Sequence, residues 1–164
     1  MFRRAIAVAA TIVAFGAAIA APVLAHEVVK GDLTLSNLEV RASLGVNPNT
    51  GGYLTVTNAG AAADELIAAS CTCAREVQLH LMSMNGSVMS MRQVRSLAVP
   101  AHGKLELKSG GAHLMVLGLR KPIRDGEKVT MTLTFRRAGK VETFFHVVKV
   151  PGAAQPTAAA PHQH

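Results

Sequence analysis

Aromatic side chains are nearly absent from this chain of 164 residues, which has no tryptophan, one tyrosine and five phenylalanines. Proteins that bind single-stranded nucleic acid stack bases on aromatic rings and contact phosphates through clustered basic side chains. Lys and Arg number 17 against 10 Asp and Glu, but they form no extended run. We therefore expect no nucleic-acid partner, and the moderate positive charge is compatible with an acidic partner or membrane surface.

Motifs of hydrolytic enzymes are also lacking. The sequence has no serine-nucleophile motif, no carboxylate pair in a recognisable frame and no His-Glu-x-x-His segment. Each of these patterns places a nucleophile, a general base or a zinc ligand where the chemistry needs it. We expect a protein that is not an enzyme and has no small-molecule substrate.

Cysteine is scarce, and the only two, Cys71 and Cys73, form a Cys-x-Cys pair. This spacing differs from the Cys-x-x-Cys of thioredoxin-like proteins and the Cys-x-x-Cys-His of haem attachment. On an extended strand, residues two apart lie near the 7 Å limit for a disulfide, so a bridge there would be strained. Three interpretations stay open: buried small hydrophobic residues, a strained or redox-active pair, or an auxiliary pair of thiol ligands for a soft metal.

A long hydrophobic run occurs only at the amino terminus. The chain begins Met-Phe-Arg-Arg, continues apolar from Ala5 to Ala21, and reaches Val23-Leu-Ala25. A charged start, an apolar middle and a small-residue cleavage site are typical of a signal peptide. We predict that residues 1–25 are a signal peptide cleaved after Ala25, which exports the chain to a bacterial periplasm. The alternative is that the same segment stays uncleaved as a membrane anchor. No later segment is apolar enough to span a bilayer.

The remaining sequence predicts one β-rich domain and a tail. Residues 26–150 contain many short segments of alternating apolar residues, separated by turn signals and without a helical period, which is typical of an all-β sandwich. Residues 151–164 are rich in Ala, Pro, Gln and Thr, so we expect a disordered tail. Its end carries His162 and His164, a pair that can capture Cu(II) loosely or can simply be solvated.

The methionines of this chain occur in an informative pattern. Six of seven methionines follow residue 80, and four of them lie in one segment around Asn85-Gly86. Asn-Gly between alternating residues is the strongest short-range signal for a two-residue hairpin turn. Such a turn predicts three facing pairs on one side of the hairpin: Met84 with Ser87, Met82 with Met89, and His80 with Met91.

A second segment carries the same two residue types. His113 and Met115 flank Leu114, so both point to one face of a strand. If the two segments pair, four neutral ligands converge: His80, Met91, His113 and Met115. Imidazole with thioether sulfur suits Cu(I), whereas hard cations prefer oxygen. Taken singly, each residue can instead be a packing methionine or a structural histidine.

Three further residues are candidates for auxiliary ligands. Met82 and Met89 have two alternative roles: their sulfur atoms bind the metal, or their side chains only contribute to packing. His26 would be the first residue after the predicted cleavage, where its imidazole and the free α-amino group could chelate Cu(II). The alternative is that His26 merely occupies the cleavage junction.

The spacing His-x10-Met-x21-His-x-Met resembles the PCu(A)C family of periplasmic copper chaperones. The surrounding residues Gly86-Ser-Val-Met-Ser-Met-Arg92, Val99-Pro100, Gly110-Gly-Ala-His-Leu-Met115 and Gly118-Leu119 carry the same resemblance, which extends from Gly31 to Val148. It implies a cupredoxin-like β-sandwich with Greek-key topology, and we expect a monomer. It also implies Cu(I) binding by His80, Met91, His113 and Met115, with delivery to an acceptor such as the CuA centre of a cytochrome c oxidase subunit, or another copper chaperone.

The leading hypothesis is thus a periplasmic copper carrier that binds Cu(I) in its core site. Two alternatives remain: an electron-transfer or Cu(II)-storage cupredoxin-like protein, and a metal-free interaction domain. Blue-copper sites need a cysteine thiolate beside two histidines. No cysteine lies near His113 in the sequence, which favours the carrier.

Overall fold

The computed structural model describes residues 26–85 and 88–150. The described residues form strands and connecting turns. In chain order the strands are β1 (Val28–Lys30), β2 (Leu33–Arg41), β3 (Thr50–Asn58), β4 (Asp64–Cys71), β5 (Ala74–Asn85), β6 (Val88–Gln93), β7 (Leu97–Val99), β8 (Gly103–Leu107), β9 (Ala112–Leu119), β10 (Lys128–Phe135) and β11 (Gly139–Val148).

The strands form one sheet that closes on itself. Seven strands follow one another in the order β2, β11, β10, β4, β5, β9 and β3, and β2 pairs with β3 to complete the ring. Neighbouring pairs are antiparallel except β11 and β2, which run parallel. β6 pairs only with β5 and therefore extends from the ring as an edge strand.

Alternating residues of these strands fill the interior. The inward side chains are mainly aliphatic or phenylalanine, and the largest fully buried ones include Phe135, Phe145, Leu114 and Leu35. Burying one such side chain contributes about 1.5–3 kcal/mol. The predicted all-β sandwich is confirmed, in the form of a closed, barrel-like sheet with one core.

The predicted register of the β5–β6 hairpin is wrong by two residues. His80 pairs with Gln93, Met82 with Met91, and Asn85 with Val88, so the first strand ends at Asn85 and the second begins at Val88. The residues between them in the sequence are Gly86 and Ser87. Gly-Ser is itself a two-residue turn signal, because type II′ turns place glycine first. The sequence therefore contains two overlapping turn signals, Asn85-Gly86 and Gly86-Ser87. A register shift of two residues keeps every side chain on its predicted face.

The cysteine pair also differs from the expectation of a strained bridge between residues on one strand. Cys71 ends β4, Cys73 lies in the turn before β5, and the two form a disulfide with their Cα atoms 5.1 Å apart. A turn brings the residues closer than the roughly 6.8 Å of an extended strand. The cysteines pack partly against the core, and neither is a free thiol available to a metal.

Two predicted segments lie outside the described residues. The predicted signal peptide, residues 1–25, and the predicted tail, residues 151–164, stay predictions. Within the described part of the chain, no helix is long and apolar enough to cross a membrane.

A buried carboxylate ties the start of β4 to the β10–β11 turn. Asp64 is 6% exposed. Its oxygens accept the backbone N–H groups of Glu65, Arg137 and Ala138 at 2.8, 2.9 and 3.0 Å. Burial alone would raise the pKa of Asp64, but these hydrogen bonds hold it below its usual value.

We expect Asp64→Asn to lower the free energy of unfolding by about 1–3 kcal/mol, because an amide NH₂ group would face a backbone N–H donor. Urea denaturation measures the change. Asp125→Asn is the control, since Asp125 makes only a 3.8 Å ion pair with Lys149 at the surface, which is worth at most about 1 kcal/mol. Equal effects of the two changes would contradict the assignment.

Candidate metal centre

The antiparallel register of β5 and β9 brings the two predicted histidine ligands together. His80 lies directly opposite His113. Their ring centroids are 5.7 Å apart, and the ring planes are inclined by 58°. The two imidazoles are therefore neighbours across the strand pair.

The two histidines lie on the outer face of the sheet. On the inner face of the same strands, Leu79 faces Leu114 within the core. Neighbouring side chains nevertheless cover His113, which is only 6% exposed. His80 is half-buried. The pair is therefore largely desolvated but remains close to solvent.

The predicted methionine ligands flank this histidine pair. Met115 follows His113 by two residues on the same face and lies opposite Gln78. Met91 lies opposite Met82, one diagonal step from His80. Diagonal neighbours are about 7–8 Å apart at Cα, within reach of a side chain with three rotatable bonds. All four predicted ligands therefore share one face, together with Met82.

The hydrogen bonds of His80 determine which of its nitrogens is free. The Gln78 amide nitrogen donates to Glu76 at 2.8 Å, so the Gln78 oxygen is the acceptor that faces His80 Nε2 at 2.9 Å. Nε2 must then carry the proton. His80 Nδ1 is left with a lone pair, and it is buried without a hydrogen-bond partner among residues 26–85 and 88–150. An unpaired buried acceptor is costly unless something binds it.

His113 presents the opposite nitrogen. Its Nδ1 lies 3.0 Å from the backbone oxygen of Gly111, which can only accept, so Nδ1 carries the proton and Nε2 the lone pair. The same Gly111 oxygen accepts the Met82 N–H at 3.2 Å. One carbonyl therefore orients the imidazole and joins it to β5, as is typical of partners behind metal-binding histidines.

Desolvation favours the neutral form of His80. Burial lowers the pKa of His80 below its usual value, and the nearby charge of His113 lowers it further. A neutral imidazole is the form that binds a metal ion. The site thus keeps a lone pair available at mildly acidic pH.

A glycine and an aromatic ring form one wall of the site. Gly51 lies opposite Met115 in the β3–β9 pairing. A Cβ atom at Gly51 would come within 2.7 Å of the Tyr53 hydroxyl oxygen, so Tyr53 lies across this glycine. The guanidinium of Arg41 in turn lies 5.3 Å from the centre of the Tyr53 ring. The absence of a side chain at residue 51 therefore lets the Tyr53 ring lie over the backbone position that pairs with Met115.

The auxiliary candidates are dispersed. Met89, on β6, is 58% exposed and lies opposite Met84. His26 stacks on Phe144 with centroids 3.8 Å apart, and its Nε2 lies 3.1 Å from the Thr143 hydroxyl. Those partners belong to β11, which β2 and β3 separate from β9. His162 and His164 lie outside the described residues.

The disulfide is also remote from the histidine pair. His80 follows Ala74 by six residues along β5, a distance of about 20 Å for an extended strand. Of the three open interpretations of Cys71 and Cys73, an auxiliary thiol pair near the metal does not agree with the described disulfide. Both sulfurs bond to each other, at the far end of the strand.

Sequence reasoning missed two residues of the site, Gln78 and Tyr53. Gln78 stands two residues before His80, so period-two alternation already places it on the same face. That signal was available in the sequence. The approach of Tyr53 to Gly51 depends on the pairing of β3 with β9, which no local pattern indicates.

Comparison with known proteins identifies one family and one curated relative by sequence. A family model described as "Putative lipoprotein LpqE-like" matches residues 33–148. The putative lipoprotein Lxx21020 of Leifsonia xyli subsp. xyli is 31% identical over 87 residues, which is 52% of each chain. The chain thus spans about half the length of the curated relative it matches.

Two solved structures are similar over most of the described residues. A copper-bound PCuAC domain from PmoF2 superimposes with a TM-score of 0.67 at 24% identity, covering 76% of this chain and 99% of that chain. The Cu(I) form of DR1885 from Deinococcus radiodurans has 29% identity and a TM-score of 0.56, with 68% and 75% covered. The likeness confirms the predicted β-sandwich class.

For the metal-free protein we expect an NMR titration of the His80 ring to give a midpoint below 6.5, the usual value. His113→Gln should raise that midpoint, because it removes the neighbouring charge. The unfolded chain then binds this proton more tightly than the folded one, so stability present above pH 6.5 should fall as the pH decreases. A midpoint at or above 6.5 would contradict the desolvation of the site.

Proposed function

Since the chain belongs to the family described as putative lipoprotein LpqE-like, we propose that it is an exported copper carrier that binds Cu(I) on the outer face of β5 and β9. Two structural neighbours have names that include copper, which supports copper as the ion that this protein carries. The lipoprotein names of the family and of the curated relative support a location in the cell envelope. A carrier of this kind is not an enzyme, because its cargo leaves unchanged.

One observation carries the proposal: two opposed imidazoles present free nitrogen lone pairs beside thioether sulfurs, with no carboxylate among them. The buried, unpartnered His80 Nδ1 is the clearest sign, because it lacks a protein donor. Neutral nitrogen and sulfur ligands leave a monovalent ion with one net charge in a partly desolvated site. A divalent ion would carry twice that charge without compensation, so the donor set suits Cu(I).

The proposed ligands are His80 through Nδ1, His113 through Nε2, and the sulfur atoms of Met115 and Met91. The histidines and Met115 belong to central strands of the sheet, whose neighbours on both sides hold them in place. Met91 belongs to the edge strand and is 51% exposed. Met82 lies opposite Met91 and is a third sulfur donor, which can replace it.

Release of copper would begin at the exposed edge. All of β6 is exposed, so an acceptor can approach Met91 without disturbing the core. Replacement of the thioethers by acceptor ligands one at a time would keep Cu(I) coordinated throughout. Met89 then serves as an accessory sulfur at the rim. The acceptor class that the PCu(A)C resemblance indicates is a cytochrome c oxidase CuA centre or another copper chaperone.

Export is supported by the cysteine chemistry as well as by the predicted signal peptide. Disulfides persist in oxidising compartments and are rare in the cytosol. The Cys71–Cys73 bridge agrees with passage into a bacterial periplasm. It also weighs against a blue-copper centre, since the described residues contain no free thiol for the required thiolate.

Cu(II) binding at His26 or at His162 and His164 is a separate proposal. The His26 ring would have to leave Thr143 and Phe144 before chelating with an α-amino group. Such a site would be occupied independently of the Cu(I) site, because β11 does not neighbour β9.

We expect Met91→Leu to weaken Cu(I) binding, since leucine keeps the volume and removes the sulfur. Competition with a Cu(I) chelator measures the one-to-one affinity, and about a tenfold or larger loss corresponds to 1.4 kcal/mol or more. Met131→Leu is the matched control, because Met131 is buried in the core at 1% exposure. Unchanged affinity of the Met91 variant would contradict the ligand set, unless Met91→Leu with Met82→Leu removes the binding that remains.

Gln78→Leu should also weaken Cu(I) binding, by about 10- to 100-fold, because it removes the acceptor that holds His80 with Nδ1 free. Gln93→Leu is the control, since Gln93 lies opposite His80 on the other side and is exposed. The same competition assay compares the two variants. An effect of equal size in both would show that Gln78 acts through general packing alone.

A further inference from the structure

The Cys71–Cys73 disulfide has features that a purely structural bridge would not need. It encloses a single residue, Thr72, so it removes little entropy from the unfolded chain. Both cysteines are partly exposed, at the end of the barrel where β4 turns into β5. Exposed or constrained disulfides are the labile class among protein disulfides.

The hydrogen bonding of the pair favours the sulfur of Cys71 as the leaving group in an exchange reaction. The backbone N–H of Cys73 points to the Sγ atom of Cys71 at 3.1 Å. If the S–S bond breaks by attack at Cys73, this N–H stabilises the negative sulfur that forms at Cys71. Hydrogen bonds to a charged acceptor are about twice as strong as those between neutral groups.

The surroundings of the pair are basic. Arg75 follows Cys73 by two residues, and its guanidinium lies against Gly118. The Arg120 backbone N–H donates to the Cys73 carbonyl at 2.9 Å, which places the exposed Arg120 and Lys121 beside the turn. Among the described residues, these three cations make no ion pair within 4.0 Å. Positive charge favours thiolates during exchange.

We propose that Cys71–Cys73 is a thiol–disulfide exchange site for a protein dithiol. A thiolate of the partner attacks Cys73 Sγ, the S–S bond breaks, and Cys71 leaves as a thiolate that then takes a proton. The second thiol of the partner attacks the mixed disulfide and releases Cys73. Two electrons and two protons thus move from the partner, which becomes a disulfide, to the cysteine pair.

The test uses the metal-free chain in about 10 mM reduced and 0.1 mM oxidised glutathione, followed by acid quenching, alkylation and mass spectrometry. We expect most of the protein as the dithiol, with unchanged circular dichroism. Structural disulfides of exported proteins resist this glutathione mixture. If no more than a few per cent is reduced at equilibrium, the bridge is structural and the proposal fails.

A pair of rate measurements tests the direction of attack. In Cys73→Ser the remaining Cys71 should react with iodoacetamide several-fold faster than Cys73 does in Cys71→Ser, because only Cys71 receives the backbone N–H. Arg75→Gln should slow glutathione exchange of the intact pair, whereas Arg92→Gln, on the exposed strand β6, should not. Faster alkylation of Cys73, or equal effects of the two arginine changes, would overturn the assigned mechanism.

Discussion

The register between β5 and β9 is the constraint on which the site depends. On the inner face it pairs Val77 with Val116 and Leu79 with Leu114, all within the core. A slip of one residue would turn every side chain of β5 to the other face, which would place His80 in the core and expose leucines. Burial of the aliphatic side chains therefore determines where the imidazoles meet, even though no imidazole belongs to the core.

The proposed ligands differ in how firmly the fold holds them. The two histidines and Met115 lie on strands with neighbours on both sides, and hydrogen bonds that the rings donate to Gln78 and to Gly111 orient them. Met91 lies on an edge strand and is half exposed. Rigid nitrogen ligands favour binding of one small ion, whereas a mobile sulfur lets the ion exchange partners. The described arrangement thus combines the two requirements of a carrier.

Period-two alternation in the sequence predicted that His80 shares a face with Met91 and that His113 shares a face with Met115. That all four lie on one face depended on the pairing of the two segments, which the register of β5 with β9 supplies. The hairpin register was not predictable, because Asn85-Gly86 and Gly86-Ser87 are both good turn sequences. The error did not change which side chains share a face of the hairpin, since a register shift of two residues preserves the faces. The protonated nitrogen of each histidine depended on Gln78 and Gly111 as hydrogen-bond partners, which only the folded geometry identifies.

The distance between the Cys71–Cys73 disulfide and the histidine–methionine site has a functional consequence. Thiolates are softer and more basic ligands than thioethers, so a reduced Cys71–Cys73 pair beside His80 would hold Cu(I) against release. The two lie about 20 Å apart along β5, too far to share one ion. Reduction of the disulfide would therefore leave the histidine–methionine site intact. Under the two proposals, a single barrel would carry a cuprous ion on one face and exchange disulfides at its end without one reaction consuming the other.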